Sequence, residues 1–103
     1  TYPERVSLLA LFGTAARFSQ DPPAFPWGFT PAEVQGQLDV IERDWGQGAL
    51  AELFHGPAAD VPGVRQLFGK LQRSVSSPSM AKLWWQAFME TDVRAVLGAI
   101  RVP

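Results

Sequence analysis

Apolar side chains recur at helical spacing in the segment that follows Thr30. The stripe has intervals of four, three and four residues and consists of Val34, Leu38, Ile41 and Trp45. Such intervals place its members on one side of a helix of about four turns. Thr30 and Glu33 can form a capping box at the start, with Pro31 first in the helix, and Gly46 is a natural stop. The pattern therefore predicts an amphipathic helix between Thr30 and Gly46.

Two further segments read as helices. A short one over 49–54 is predicted to turn Leu50, Leu53 and Phe54 inward before His55 and Gly56 end it. The next one opens at the N-cap candidate Asp60. It carries the most regular apolar stripe of the chain, formed by Val64, Leu67, Phe68, Leu71 and Val75. Gly69 within this segment weakens a helix by about 1 kcal/mol relative to alanine.

Ser77 and Pro78 repeat the start signal for a fourth helix, over 78–90. Its apolar side consists of Met80, Leu83, Trp84, Ala87 and Phe88. Trp85 and Met89 extend the apolar character to a second side, which is typical of a helix that is buried on two sides or lines a ligand cavity. A last short turn is predicted over 91–97, before Gly98.

The first thirty residues lack a helical pattern. An almost continuous apolar run at 5–12 favours a strand that is buried on both faces, although its Leu and Ala residues leave a helix open. The rest of the chain offers no other clear strand to pair with it. In the proline-rich segment 15–30, Phe25, Trp27 and Phe29 occupy alternate positions, so an extended backbone would turn them to one side.

Composition narrows the class of protein. Of the 103 residues, 47% are hydrophobic and 18% charged, which excludes a disordered segment, and the formal net charge of −1 gives no reason to expect a nucleic-acid partner. Cysteine is absent, so disulfides and thiolate metal sites are excluded. No apolar run is long enough to span a membrane. Four Trp and seven Phe are a heavy aromatic content for a short helical chain.

The sequence offers only weak evidence for catalytic or metal-binding residues. His55 follows a predicted helix and has no Ser or Cys partner in a catalytic pattern. The serine cluster at 74–79 is explained by helix capping, and Gly46-Gln47-Gly48 lacks the features of a phosphate loop. Acid pairs such as Glu42 with Asp44 do not make a compact ligand set. We therefore expect no catalytic residue, no metal site and no cofactor in this chain.

Several motifs resemble α/β-hydrolase-fold proteins. Tyr-Pro-Glu-Arg-Val at 2–6 and Leu-Phe-Gly-Thr-Ala-Ala-Arg at 11–17 resemble the helix end and sixth strand of that fold, and 92–103 resembles its return to the sheet. The middle is similar to actinobacterial, especially mycobacterial, hydrolase–adenylate cyclase fusion proteins. The matching motifs are Phe-Pro-Trp-Gly at 25–28, Ile-Glu-Arg-Asp-Trp-Gly at 41–46, the serine-rich 74–79 and Thr-Asp-Val-Arg at 91–94.

The resemblance implies that the chain is the helical cap, or lid, of a lipase or esterase with the hydrolase fold. Residues 1–14 would be an attachment segment from the hydrolase sheet, 15–98 the mainly α cap of about four helices, and 99–103 the return segment. No Gly-x-Ser-x-Gly nucleophile motif occurs. The family pattern places the catalytic serine upstream of Thr1, and the catalytic acid and histidine downstream of Pro103, so the parent protein and not this chain would carry the ester-hydrolase activity.

The aromatic residues are the candidates for contact with a substrate. The predicted substrate-facing set is Phe25, Trp27, Phe29, Trp84, Trp85, Phe88 and Met89. Plain core packing is the alternative explanation. As a lid, the chain would cover an apolar or acyl-type small molecule, and it would self-associate when isolated because of its apolar surface. The alternative function is a helical dimerisation or regulatory interaction module.

Overall fold

A computed structural model describes residues 2–103 and is mainly helical, which confirms the predicted fold class. Thr1, the first residue of the predicted attachment segment, lies outside the described residues. The α-helices are α1 (Pro31–Asp44), α2 (Ala51–His55), α3 (Val64–Val75), α4 (Pro78–Glu90) and α5 (Arg94–Leu97), with 3-10 turns at Pro3–Arg5 and Gly56–Asp60. The radius of gyration is 16.6 Å, whereas a compact domain of this length has about 13 Å. The helices are therefore packed less compactly than in an ordinary domain of this size.

Two helix starts form as the sequence predicts. At α1 the Thr30 hydroxyl accepts a hydrogen bond from the Glu33 N–H at 3.2 Å, and the Glu33 carboxylate accepts one from the Thr30 N–H at 2.7 Å. At α4 the Ser77 hydroxyl accepts from the Met80 N–H. Both caps satisfy backbone donors that a helix end otherwise leaves unpaired. They fix where α1 and α4 begin.

Helices α1 and α4 pack against each other and form the core. Its buried side chains are Leu38, Ile41, Ala81, Trp85 and Met89. The Trp85 indole N–H donates to the Gln37 side-chain carbonyl oxygen at 3.0 Å, so the ring is buried without losing its polar partner. Trp85 and Met89 therefore belong to the core of this chain, on the side of α4 that faces α1.

Helix α3 is attached through its small and polar side. The Gln72 carbonyl oxygen accepts hydrogen bonds from the backbone N–H groups of Gly46, Gly48 and Ala49 at 3.0–3.1 Å, and the Gln72 amide donates to the Ala49 carbonyl at 2.8 Å. Gly69 lies so close to this loop that a Cβ would stand 2.7 Å from the Gly46 oxygen. Gln72 and Gly69 are the buried residues of α3.

The apolar stripe of α3 consequently does not enter the core. Leu67, Leu71 and Val75 are exposed, although amphipathic helices ordinarily bury such a stripe. On α2 the inward orientation predicted for Leu53 and Phe54 is wrong, because both side chains are exposed. The physical reason is that the loop at 46–49 occupies the inner side of α3, so its apolar side points away from the packed α1–α4 pair.

The apolar run near the N-terminus does not form the predicted strand. Residues 8–12 have no regular secondary structure, and Leu8, Leu11 and Phe12 are exposed. One backbone hydrogen bond, from the Leu9 N–H to the Pro103 carbonyl at 2.9 Å, joins this segment to the C-terminal residues. The strand is missing because extended backbone needs neighbouring strands, and within residues 2–103 the pairing is limited to isolated bridges.

The loop at 16–29 is anchored to the helices. The Phe29 N–H donates to the Phe18 carbonyl at 2.8 Å, the Ser19 hydroxyl donates to the Met89 carbonyl at 2.7 Å, and the Val93 N–H donates to the Ala16 carbonyl. The loop therefore follows the surface of the helices, but its alternate aromatics separate. Phe29 packs against the core whereas Trp27 is exposed, so the prediction that they share one side is wrong.

Candidate functional site

A cleft with apolar walls opens between α2, α3 and α4. Its volume is about 200 Å³. Buried side chains form its floor, and they are Ile41, Ala49, Ala81 and Trp85. Exposed side chains form its rim, and they are Phe54, Leu71, Val75 and Trp84. The cleft exists because α3 is held away from α4 by the loop beneath Gly69 and Gln72.

Polar chemistry is almost absent from this cleft. Among the described residues that line it, Gln72 carries the one polar amide, and its carbonyl oxygen already accepts three backbone hydrogen bonds. No Asp, Glu, Lys, Arg or His belongs to the lining. The cleft can therefore hold a hydrocarbon group by burial of apolar area, but it supplies no proton donor, base or nucleophile for a reaction.

Aromatic rings connect the cleft to the rest of the surface in a continuous row. Phe68 and Phe54 have ring centroids 5.6 Å apart, and Phe54 lies 5.9 Å from Trp85. Trp85 lies 6.4 Å from Trp84, which stacks on Phe88 at 5.7 Å with nearly parallel planes. These separations are those of favourable aromatic pairs. The row holds the rim of the cleft in place across three helices.

The seven predicted substrate-facing residues fall in three places. Trp84 and Trp85 line the cleft, one at the rim and one at the floor, and Phe88 adjoins them. Phe29 and Met89 line a separate groove of about 300 Å³, between the loop at 16–29, α1 and the end of α4. Met89 belongs to the buried core, and the half-buried Phe29 packs against it.

Phe25 and Trp27 form the third group, outside the cleft. Their rings meet edge to face at 5.5 Å in the loop at 16–29. The Arg94 guanidinium lies 5.3 Å from the centre of the Phe25 ring, which is half-buried beneath it. This pair therefore helps to attach the loop to Arg94, the first residue of α5.

Sequence reasoning missed ten of the twelve described residues that line the cleft, among them four large apolar side chains of its walls. Phe54, Phe68, Leu71 and Val75 were not among the candidates, because their spacing is that of ordinary core residues. The available signal lay on the opposite side of α3. A glycine and a glutamine at 69 and 72 are the residue types that can approach a loop backbone closely, and they left the apolar stripe free to face outward.

The charged cluster of the chain lies away from the cleft. Arg94 donates to Asp92 at 2.6 Å and to Asp21 at 2.5 Å, and Arg17 donates to Asp92 at 3.1 Å. Hydrogen bonds from the Arg94 side chain, and then from its backbone N–H, hold the pKa of Asp92 well below its usual range. The cluster joins the loop at 16–29 to α5 and is an anchoring element.

The remaining polar candidates have structural roles or no partner for catalysis. Ser77 caps α4, and Ser74 donates its hydroxyl to the Lys70 carbonyl. His55 is exposed, with its ring edge on Phe68 at 4.8 Å. Within residues 2–103, no group of three His, Asp or Glu side chains is placed to hold a metal ion.

No protein-family model matches this chain, and no solved structure matches it. Along the part of the chain that the structure describes, none of the helices combines the length and the apolar character needed to cross a membrane.

Proposed function

We propose that residues 15–98 are a lid that covers an apolar, acyl-type substrate in an α/β-hydrolase-like lipase or esterase. The cleft between α2, α3 and α4 would face that substrate. The attachment segments 1–14 and 99–103 would join the lid to the hydrolase sheet, with a nucleotide cyclase as candidate fusion partner. The reacting groups would belong to the parent protein, because the cleft itself has none.

The outward orientation of the α3 stripe is the observation that carries this proposal. Burying a large apolar side chain contributes about 1.5–3 kcal/mol. Leu67, Leu71, Val75 and Trp84 forgo most of this contribution, since each is more than half exposed. A continuous apolar surface of this kind marks a binding site for a ligand or for another surface.

The backbone hydrogen bond between Leu9 and Pro103 supports the attachment that the proposal requires. A domain inserted into a sheet has to leave it and return to it at nearby points. The Leu9 N–H and the Pro103 carbonyl oxygen are 2.9 Å apart, so the two predicted attachment segments lie side by side. Exclusion of water and control of substrate shape are the roles that such a lid has in catalysis.

Replacement of the rim tryptophan tests the proposal. We expect the chain to bind sodium decanoate below its micelle concentration, and Trp84→Ala to weaken this binding about tenfold, because the indole would lose roughly 1.5 kcal/mol of burial against the ligand. Isothermal titration calorimetry measures the affinity. Trp27→Ala is the matched control, since Trp27 is exposed to a similar extent (68% against 63% for Trp84) but lies outside the cleft.

Two results would contradict the lid. One is an unmodified chain that does not bind decanoate, and the other is an equal loss of affinity in the Trp84 and Trp27 variants. The same preparation should hydrolyse p-nitrophenyl decanoate no faster than buffer, because no nucleophile or base lines the cleft. Ester turnover above that rate would show that reacting groups lie within this chain.

A second copy of the chain is the other occupant that the exposed surface favours. Eight exposed apolar side chains at roughly 100 Å² each supply on the order of 800 Å², which is the area that one partner buries in a standard interface. They are Leu53, Phe54, Leu67, Leu71, Val75, Met80, Leu83 and Trp84. For a lid, decanoate should shift a dimer toward monomer in light scattering. For a dedicated interaction module, the dimer should persist and decanoate should not bind.

A further inference from the structure

We infer that the cleft holds the end of one unbranched alkyl chain, and that Ala81 at its floor sets how long a chain fits. The inference deepens the proposed function and rests on it for the role of the bound chain. The polarity of the cleft, its volume, the arrangement of its walls and the depth of its floor all favour such an occupant.

The polarity of the cleft excludes a polar or charged group from its interior. A buried polar group without a hydrogen-bond partner costs about 1–3 kcal/mol. The Gln72 carbonyl oxygen is already occupied by the N–H groups of the loop at 46–49, and its amide nitrogen donates to the Ala49 carbonyl. A carboxylate, hydroxyl or amide of a ligand would therefore remain outside, and only its hydrocarbon part would enter.

The volume fits part of a ligand. Pockets that enclose whole drug-sized molecules have about 300–1,000 Å³, whereas this cleft has about 200 Å³. An apolar cavity of about 150 Å³ already accommodates benzene, so the space is sufficient for a hydrocarbon group. The rest of a longer ligand would extend past the exposed rim, where the proposed function places the parent hydrolase.

The walls favour a flexible chain over a flat ring. The Phe54 ring lies at 54° to Phe68 on α3 and at 70° to Trp85 on α4. These rings come from three different helices and present angled faces, so a rigid planar ligand would leave gaps beside it and lose dispersion contacts. An alkyl chain adjusts its torsion angles to such walls.

The floor is reached along one side of α4. Ala81 and Trp84 are three residues apart and so share a helix face, yet Ala81 is buried and Trp84 exposed. The cleft therefore deepens from the Trp84 indole to the Ala81 methyl group. An alkyl chain that enters at the rim would end on the Ala81 methyl group, with Ile41 and Ala49 beside it.

A series of alkanoates with increasing chain length tests the inference. The affinity of the unmodified protein for alkanoates, measured by calorimetry, should rise about fourfold for each added carbon, since a buried CH₂ contributes about 0.8 kcal/mol. It should then level off once the alkyl chain fills the cleft. Ala81→Leu places three further carbon atoms on the floor. We expect its affinity to level off about three carbons earlier and to be roughly 50-fold lower for long chains.

A pair of rim variants separates the cleft from the rest of the surface. Leu71→Trp should weaken binding at every chain length by filling the opening, whereas Leu83→Trp should not. Both leucines are exposed to a similar extent (55% and 60%), but Leu83 lies outside the cleft. An equal effect of the two variants would overturn the inference.

A measurement on the unmodified chain removes any dependence on how Ala81→Leu folds. With decanoate labelled with ¹³C at its terminal methyl, we expect a nuclear Overhauser effect to the Ala81 methyl, and its absence would overturn the inference. Tighter binding of a phenylalkanoate than of an alkanoate with equal carbon number would do the same. If decanoate binds with none of these length effects, only this inference fails, whereas absence of decanoate binding removes the proposed function as well.

Discussion

Trp85→Ala is expected to lower the free energy of unfolding by about 3–5 kcal/mol, while the same change at the neighbouring Trp84 lowers it by about 1 kcal/mol. Trp85 is 4% exposed, and its indole N–H is bonded to Gln37, so truncation leaves a cavity between α1 and α4. Trp84 is 63% exposed, and its main contact within the chain is the stacked Phe88 ring.

Urea denaturation followed by circular dichroism measures both values. Domains of this size are stable by about 5–15 kcal/mol, so the Trp85 variant should be close to unfolding and the Trp84 variant well folded. Similar losses for the two variants would mean that the faces of α4 are assigned incorrectly. The cleft would then lose its rim, because the rim depends on Trp84 being the exposed one of the pair.

Gln72→Leu is expected to lower the free energy of unfolding by about 3–5 kcal/mol, because three backbone N–H groups lose their acceptor. The Gly46, Gly48 and Ala49 N–H groups all donate to the Gln72 oxygen, and leucine cannot accept these bonds. A buried donor left unpaired costs about 1–3 kcal/mol. A leucine of similar size adds apolar area on the inner side of α3, but this gain offsets only part of the loss.

Gln66→Leu is the matched control for this change, because Gln66 lies on α3 and is exposed. We expect it to alter the free energy of unfolding by no more than about 0.5 kcal/mol. An equal, small effect at both positions would show that the loop does not hold α3 in its orientation. In that case the outward direction of the apolar stripe would have no cause in the structure.

Local signals predicted the helices well. The capping box at Thr30 and the Ser77 cap are formed, and α1 and α4 begin and end close to their predicted bounds. These features depend on neighbours in the sequence, so the sequence contains the necessary information. The buried side of α1, with Leu38 and Ile41, was equally predictable from spacing. The predicted N-cap Asp60 is wrong, because Asp60 ends a 3-10 turn and α3 begins only at Val64, after Gly63 in a left-handed conformation.

The direction of α3 was not predictable from periodicity. Spacing shows that Leu67, Leu71 and Val75 share a side, but not what covers that side. The orientation of α3 is set by the close approach of Gly69 and Gln72 to the loop at 46–49, and this is a tertiary contact. A strand over 5–12 failed for a related reason, since its existence depends on pairing partners.

The candidate site was therefore predicted only in small part. Trp84 and Trp85 were identified because α4 is apolar around much of its circumference. Phe54 and Phe68 were missed because they come from two other helices, and their approach to Trp85 depends on how α2 and α3 are placed. Residues that meet across elements leave no spacing pattern in a sequence.

Backbone amide NMR of the chain during titration with decanoate is the most direct test of the apolar cleft as a ligand site. The account predicts shifts at the amides of Leu71 and Val75 and at the Trp84 indole N–H, which line the cleft, with the Trp27 indole N–H unchanged. A spectrum that does not change with decanoate, or one in which the Trp27 indole moves and the Trp84 indole does not, would contradict it.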